Sequence, residues 1–155
     1  MQAFRTCYLC ILILVTLLCV SCASDPAPPP PLTFKVTAHT QANAGSLFYF
    51  VIRNANDKQF MLETYQDVAG KAFLDPPDPN NLGVFSIVTG TVQECTISPP
   101  AQGGIALYFL FTQPGAQWKK LLSVPLLNEY RINLSATSQV GINQDKPWYS
   151  ISSWF

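Results

Sequence analysis

Leu32-Thr33-Phe34-Lys35-Val36-Thr37-Ala38-His39 alternates apolar and polar residues without a break. Successive side chains of a strand point to opposite faces, so Leu32, Phe34, Val36 and Ala38 would share one face. That is the pattern of a half-buried antiparallel strand. Gln41-Ala42-Asn43-Ala44-Gly45 follows as a turn-type connection, because Asn and Gly accept backbone conformations that other residues resist. Ser46 to Arg53 is then a continuous apolar, aromatic and β-branched run, as expected of a strand covered on both faces.

Further along, one helix is predicted. Asp57 is placed to cap it; Met61, Tyr65, Val68 and Ala69 share a face; Gly70 is placed to end it. Leu74 to Asn81, rich in Pro and Asp, reads as a rigid loop. Strands are predicted at Gly83–Thr89, Thr91–Ile97, Ile105–Thr112 and Trp118–Pro125. Tyr130 to Ala136 alternates as cleanly as the first strand, and the aromatic tail Trp148 to Phe155 suits a last edge strand. Seven or eight short strands separated by Gly, Pro and Asn turns predict an all-β domain, a β-sandwich over 32–155, with the one short helix as a crossover.

The other end of the chain reads as an export and anchoring device. Arg5 precedes an apolar run from Cys7 to Val20. That run is about fourteen residues, short of the roughly twenty that span a bilayer and suited to the hydrophobic region of a signal peptide. An uncleaved anchor is the alternative. Leu18-Cys19-Val20-Ser21-Cys22 resembles the lipobox of bacterial lipoproteins, although Cys19 stands where Leu is usual. The resemblance implies a signal peptide over 1–21 and diacylglycerol on Cys22. Ala23 stands where Asp would retain a lipoprotein at the inner membrane of enteric bacteria, which implies the outer membrane. Ala23 to Pro31 (ASDPAPPPP), within a linker over 22–31, lacks the backbone donors for helix or central strand. As polyproline it would extend about 25 Å.

Charge is sparse and balanced, with nine basic and nine acidic residues, and no basic cluster exceeds Lys119-Lys120. This gives no electrostatic footprint for nucleic acid and points to neutral partners, or to protein contacts built on shape and apolar area. Cys7-x-x-Cys10 has redox spacing but lies inside the leader. Cys95 has no second cysteine in the body of the chain, so no disulfide framework is expected and a buried small hydrophobe is.

Chemistry is hard to assemble from what remains. His39 is the single histidine and falls on the polar face of the first strand; no His/Cys cluster has metal-ligand spacing. A Cys95–His39 nucleophile pair is conceivable, but no cationic neighbour in sequence would activate the thiol. Asp75 and Asp78 suit backbone capping in a proline-rich turn. Glu63 and Asp67, four apart, would repel mildly on a solvated helix face. Asn133-Leu134-Ser135 matches a glycosylation sequon but lies within an expected strand, and Gly103-Gly104 suits a hairpin turn better than a phosphate loop. No catalytic set and no cofactor is expected, and a binding or scaffolding role is.

The order of these pieces resembles the TssJ family of type VI secretion systems. Asn43-Ala44-Gly45 after the first strand, the apolar strand Leu47 to Arg53, and Phe60-Met61-Leu62-Glu63-Thr64-Tyr65 are similar to successive parts of that family. So are Glu94 to Pro99, Ile105 to Phe111 running toward Trp118-Lys119, and Tyr130 to Leu134. The resemblance implies a transthyretin-like β-sandwich and a non-catalytic role. It implies an outer-membrane lipoprotein, facing the periplasm, that anchors a secretion complex by binding the periplasmic part of a TssM-like inner-membrane protein. The family's first inter-strand loop makes much of that contact. It maps to Gln41, Ala42, Asn43, Ala44, Gly45 and Ser46, where this chain is shorter and lacks the family's prolines. The competing expectation is a lipid-anchored module for a glycan or host ligand, using Trp148, Tyr149, Trp154 and Phe155.

Overall fold

In a computed structural model, residues 29–143 are described and form two four-stranded sheets packed face to face. The strands are β1 (Leu32–Ala38), β2 (Phe48–Asn54), β3 (Asn81–Ile87), β4 (Val92–Ile97), β5 (Ile105–Leu110), β6 (Lys119–Leu121), β7 (Glu129–Leu134) and β8 (Val140–Asn143). One sheet has the order β4-β1-β7-β8 and the other β3-β2-β5-β6. The β-sandwich expected from the sequence is therefore present. The leader, Cys22 and the aromatic tail Trp148–Phe155 lie outside the described residues.

The alternation of β1 works as its pattern requires. Leu32, Phe34, Val36 and Ala38 are buried, and Phe34 stacks on Tyr130 of β7 and meets Phe50 of β2 edge-on. The pairing is mixed, however. β1 runs antiparallel to β4 but parallel to β7, with Phe34 opposite Cys95 on one side and Tyr130 on the other. On β2, Phe48, Phe50 and Ile52 enter the core between the sheets. Val51 faces outward with Ala106, Tyr108 and Leu110 of β5, under a helical layer. Burial of both faces explains the unbroken apolar runs.

That layer holds two helices where one was predicted: α1 (Asp57–Leu62) and α2 (Tyr65–Ala72). Each begins with its own capping box. Asn56, not Asp57, caps α1 in exchange with Gln59, and Thr64 caps α2 in exchange with Asp67. Glu63 between them is extended, at ψ 122°. The break rotates α1 relative to the face expected from a continuous helix, so Met61 is 76% exposed while Val68 is fully buried. Gly70 stays inside α2, which runs on to Ala72.

Three further expectations are corrected. Gly103-Gly104 does not turn a hairpin, because β4 and β5 belong to different sheets. These glycines pass against the end of β2, where a Cβ on Gly103 would lie 2.1 Å from Asn54 Oδ1 and one on Gly104 2.8 Å from the Ala55 carbonyl oxygen. The strand predicted at Trp118–Pro125 shrinks to Lys119–Leu121. β8, which was not foreseen, closes its sheet beside β7.

Strand direction gives the sandwich two unlike ends. β1 leaves the proline-rich linker at Leu32 and rises seven residues, about 23 Å. The pairings then bring the β1–β2, β3–β4, β5–β6 and β7–β8 connections to the end that β1 reaches, which we call the distal pole.

Candidate functional site: the distal pole

The β1–β2 connection is a tight, unusual turn. Across Ala42–Gly45 the chain kinks out of right-handed helical geometry, with Asn43 (φ 48°), Ala44 (φ 53°) and Gly45 (φ 76°) all left-handed. Only Asn and Gly adopt that conformation readily, so Ala44 carries backbone strain. His39 Nδ1 accepts a hydrogen bond from the Gln41 N–H at 3.1 Å and helps start the turn.

Asn43 holds the pole together. It is 6% exposed, and its backbone N–H donates to Ser138 Oγ at 2.8 Å, in the β7–β8 loop. Its Oδ1 accepts from the Thr112 N–H at 2.8 Å, in the β5–β6 loop. Its Nδ2 donates to the Leu47 carbonyl at 2.8 Å and, at 3.3 Å, to that of Ser46. One side chain thus satisfies backbone groups from two loops while its own amide engages a third. The β3–β4 loop joins through Thr89 Oγ1, which donates to the Gly45 carbonyl at 3.1 Å, and Gly90 N–H, which donates to Ala38 O at 2.9 Å.

The six residues expected to meet a partner therefore divide into two kinds. Gln41, Ala44, Gly45 and Ser46 are exposed, whereas Ala42 and Asn43 are buried and can only frame the surface. A cavity of about 430 Å³ opens beside them between the β1–β2, β5–β6 and β7–β8 loops. Thr112, Gln113 and Ser138, which complete it, were not foreseen, because no local pattern links them to the Asn43 turn.

Away from the pole, the helical layer is locked to its sheet by charge. Arg53, at the end of β2, is 2% exposed. Its guanidinium meets Glu63 Oε1 at 3.1 Å and Asp78 Oδ2 at 3.4 Å, and donates to Asn81 Oδ1 at 3.0 Å. Tyr108 Oη donates to Glu63 Oε2. Burial, then that bond and the Glu63 charge, push the Tyr108 phenol far above its usual range. Lys119 Nζ donates to the carbonyls of Phe60 and Glu63 at 2.6 and 2.9 Å, over the Phe60 ring at 4.8 Å. Glu63 is thus no solvated helix residue in repulsion with Asp67; the inter-helix break turns it inward, and Asp67 is spent on the Thr64 cap. Asp78 caps the Asn80 N–H at 2.8 Å, as its turn suggested, and faces Arg53 as well. A cluster of paired charges of this kind, which Lys71 joins at 3.6 Å from Glu63, fastens the helical layer to its sheet.

The Cys95–His39 pair, already disfavoured by its sequence neighbours, is opposed by the geometry as well. Cys95 faces the core opposite Phe34, five residues and about 16 Å along β1 from exposed His39. Burial and the nearby Glu94 push its thiol up to about 11, the reverse of an activated nucleophile. Among the described residues no group of three or more His, Cys, Asp or Glu could hold a metal ion, and no helix is long and apolar enough to cross a membrane.

Comparison with known proteins agrees with this architecture. Among solved structures, the type VI secretion lipoprotein TssJ1 from Pseudomonas aeruginosa superposes with a TM-score of 0.58 at 15% identity, over 77% of this chain and 100% of that one. Serratia marcescens Lip, described as a membrane-bound component of the type VI secretion system, gives 0.59 at 13% identity, over 74% and 97%. A chain of a type VI membrane complex gives 0.56 at 10% identity, over 74% and 98%. At such identities the likeness is one of fold. No curated protein matches the chain in sequence. The family model described as IglE, N-terminal domain, matches residues 49–134, from β2 to the end of β7. With that match over more than half its length, the chain, TssJ-like in fold, belongs to the family of IglE N-terminal domains.

Proposed function

We propose that this protein is a non-catalytic outer-membrane lipoprotein of a type VI secretion membrane complex. In this reading the leader is cleaved before Cys22, acyl chains on Cys22 hold the chain in the outer membrane, and the domain faces the periplasm. More than one acyl chain makes such anchoring stable. The distal pole then grips the periplasmic part of a TssM-like inner-membrane protein. Gln41, Ala44, Gly45 and Ser46 make the contact, and Ala42 and Asn43 hold the loop in shape.

The observation that carries this reading is the opposition of the two ends. The linker enters at the start of β1, and the Asn43-pinned loop lies at its far end. Stalk and strand together would present that loop about 50 Å from the lipid headgroups. A rigid loop at the end of a tether suits an anchor that must reach a partner rising from the opposite membrane. Rigidity also lowers the entropy lost on binding.

The test is capture from membranes. A Gln41→Arg/Ser46→Arg double variant should lose co-purification with the TssM-like protein while keeping wild-type circular dichroism. Capture at the wild-type level would overturn the reading. Cys22→Ser should leave the chain without its lipid mass and release it from the outer-membrane fraction.

A further inference from the structure

All four connections at the distal pole lack formal charge. Residues 39–47 (HTQANAGSL), 88–91 (VTGT), 111–118 (FTQPGAQW) and 135–139 (SATSQ) contain no Asp, Glu, Lys or Arg. At the opposite end the connections are mixed: 98–104 (SPPAQGG) and 122–128 (LSVPLLN) also lack these residues, whereas the long 55–80 connection, which covers the outer face of one sheet, carries seven: Asp57, Lys58, Glu63, Asp67, Lys71, Asp75 and Asp78. The four uncharged loops of the distal pole meet closely enough for three of them to enclose the cavity beside Asn43. Gln41 and Ser46 line it from the β1–β2 loop, Thr112 and Gln113 from the β5–β6 loop, and Thr137 and Ser138 from the β7–β8 loop. Its wall combines hydroxyls and carboxamides with the methyl groups of Ala44 and Ala136, and carries no charged side chain.

We infer that the partner surface is this whole three-loop cavity rather than the Gln41–Ser46 loop alone, and that its occupant is an uncharged, hydrogen-bonding loop of the TssM-like protein. The inference rests on the function proposed above. A wall without charge gives no desolvated ion pair and no long-range steering, so recognition comes from hydrogen bonds and fit. It also rejects charge of either sign, since an ion brought into the closed contact would have no counter-ion there. Asn43 is what makes three loops one surface, because its bonds to Ser138 and Thr112 fix their spacing.

The experiment uses the full-length lipoprotein in detergent and the purified periplasmic part of the TssM-like protein, with binding followed by biolayer interferometry. Wild-type Kd should change less than about twofold between roughly 50 and 500 mM NaCl, a range over which an ion-paired interface weakens markedly. Gln113→Glu and Thr137→Lys, on the two loops beyond the first, should each weaken binding about tenfold or more, with unchanged melting temperature. Opposite effects of the two charges, or binding within twofold of wild type for either, would overturn the inference. If those variants bind normally while Gln41→Arg/Ser46→Arg does not, the contact is confined to the first loop and the proposed function stands. If the double variant binds as wild type, the proposed function falls and this inference with it.

Discussion

Replacing Asn43 separates two contributions that the structure combines in one residue. Asn43→Ala removes the Oδ1 acceptor of Thr112 N–H and the Nδ2 donor to Leu47 O, both at 2.8 Å, together with the longer 3.3 Å bond to Ser46 O. Each well-formed bond contributes about 1 kcal/mol net. Alanine at φ 48° adds about 1 kcal/mol of left-handed strain that asparagine largely escapes. The expected loss is about 3 kcal/mol. Asn43→Gly loses the same bonds without the strain, for about 2 kcal/mol, and the backbone bond to Ser138 survives in both. Urea unfolding followed by tryptophan fluorescence should place the midpoints in the order wild type, glycine, alanine. In thermal melts the alanine variant should fall by roughly 10 °C. The reasoning is refuted if glycine costs as much as alanine, or if both cost less than about 0.5 kcal/mol.

Other variants test the remaining structural claims. Arg53→Met would leave Asp78, 13% exposed, without its cation and Glu63, 11% exposed, with only Tyr108 and Lys71, the latter at 3.6 Å, as side-chain partners, at a cost of about 3 kcal/mol in urea unfolding, the low end for a broken buried pair; a loss below about 1 kcal/mol would mean that the cluster does not fasten the helices. Cys95 should resist a thiol reagent at pH 8 until the domain unfolds. Its folded thiol titrates at about 11 against 9.0 for an ordinary one, so the unfolded chain releases its proton first and stability falls between pH 9 and 11. Cys95→Ala should remove that part of the slope, and an unchanged slope would contradict the burial argument. Gly104→Ala should cost about 1–3 kcal/mol, because its Cβ would meet the Ala55 carbonyl oxygen at 2.8 Å. Gly70→Ala, with nothing within 4 Å and inside α2, should instead stabilise by about 0.5–1 kcal/mol.

What could be read from the chain alone was whatever depends on near neighbours. The alternation of Leu32 to Ala38 named the buried face of β1, since side-chain direction repeats every two residues wherever the strand pairs. The unbroken run of β2 announced layers on both sides, and Asn43 with Gly45 announced a turn. Even the two capping boxes, Asn56 with Gln59 and Thr64 with Asp67, stood in the sequence as residue pairs three apart. The apolar spacing from Met61 to Ala69 fits a single helix equally well, so local pattern does not decide between one helix and two. β8 escaped notice because four residues that include a glycine carry too little pattern.

Only tertiary structure decided which strands meet, and with that the nature of the site. The parallel pairing of β1 with β7 joins segments about a hundred residues apart, where periodicity carries no information. Asn43 reaches Thr112 across 69 positions and Ser138 across 95, so its change from exposed turn residue to buried clasp followed from chain closure, not from its neighbours. Glu63 turned from solvent to Arg53 for the same reason: a charge is buried where folding brings a counter-charge to it. Local sequence chose the elements and their inner faces, and the long-range pairing of backbone and charge assembled them into a charge-free, rigid pole.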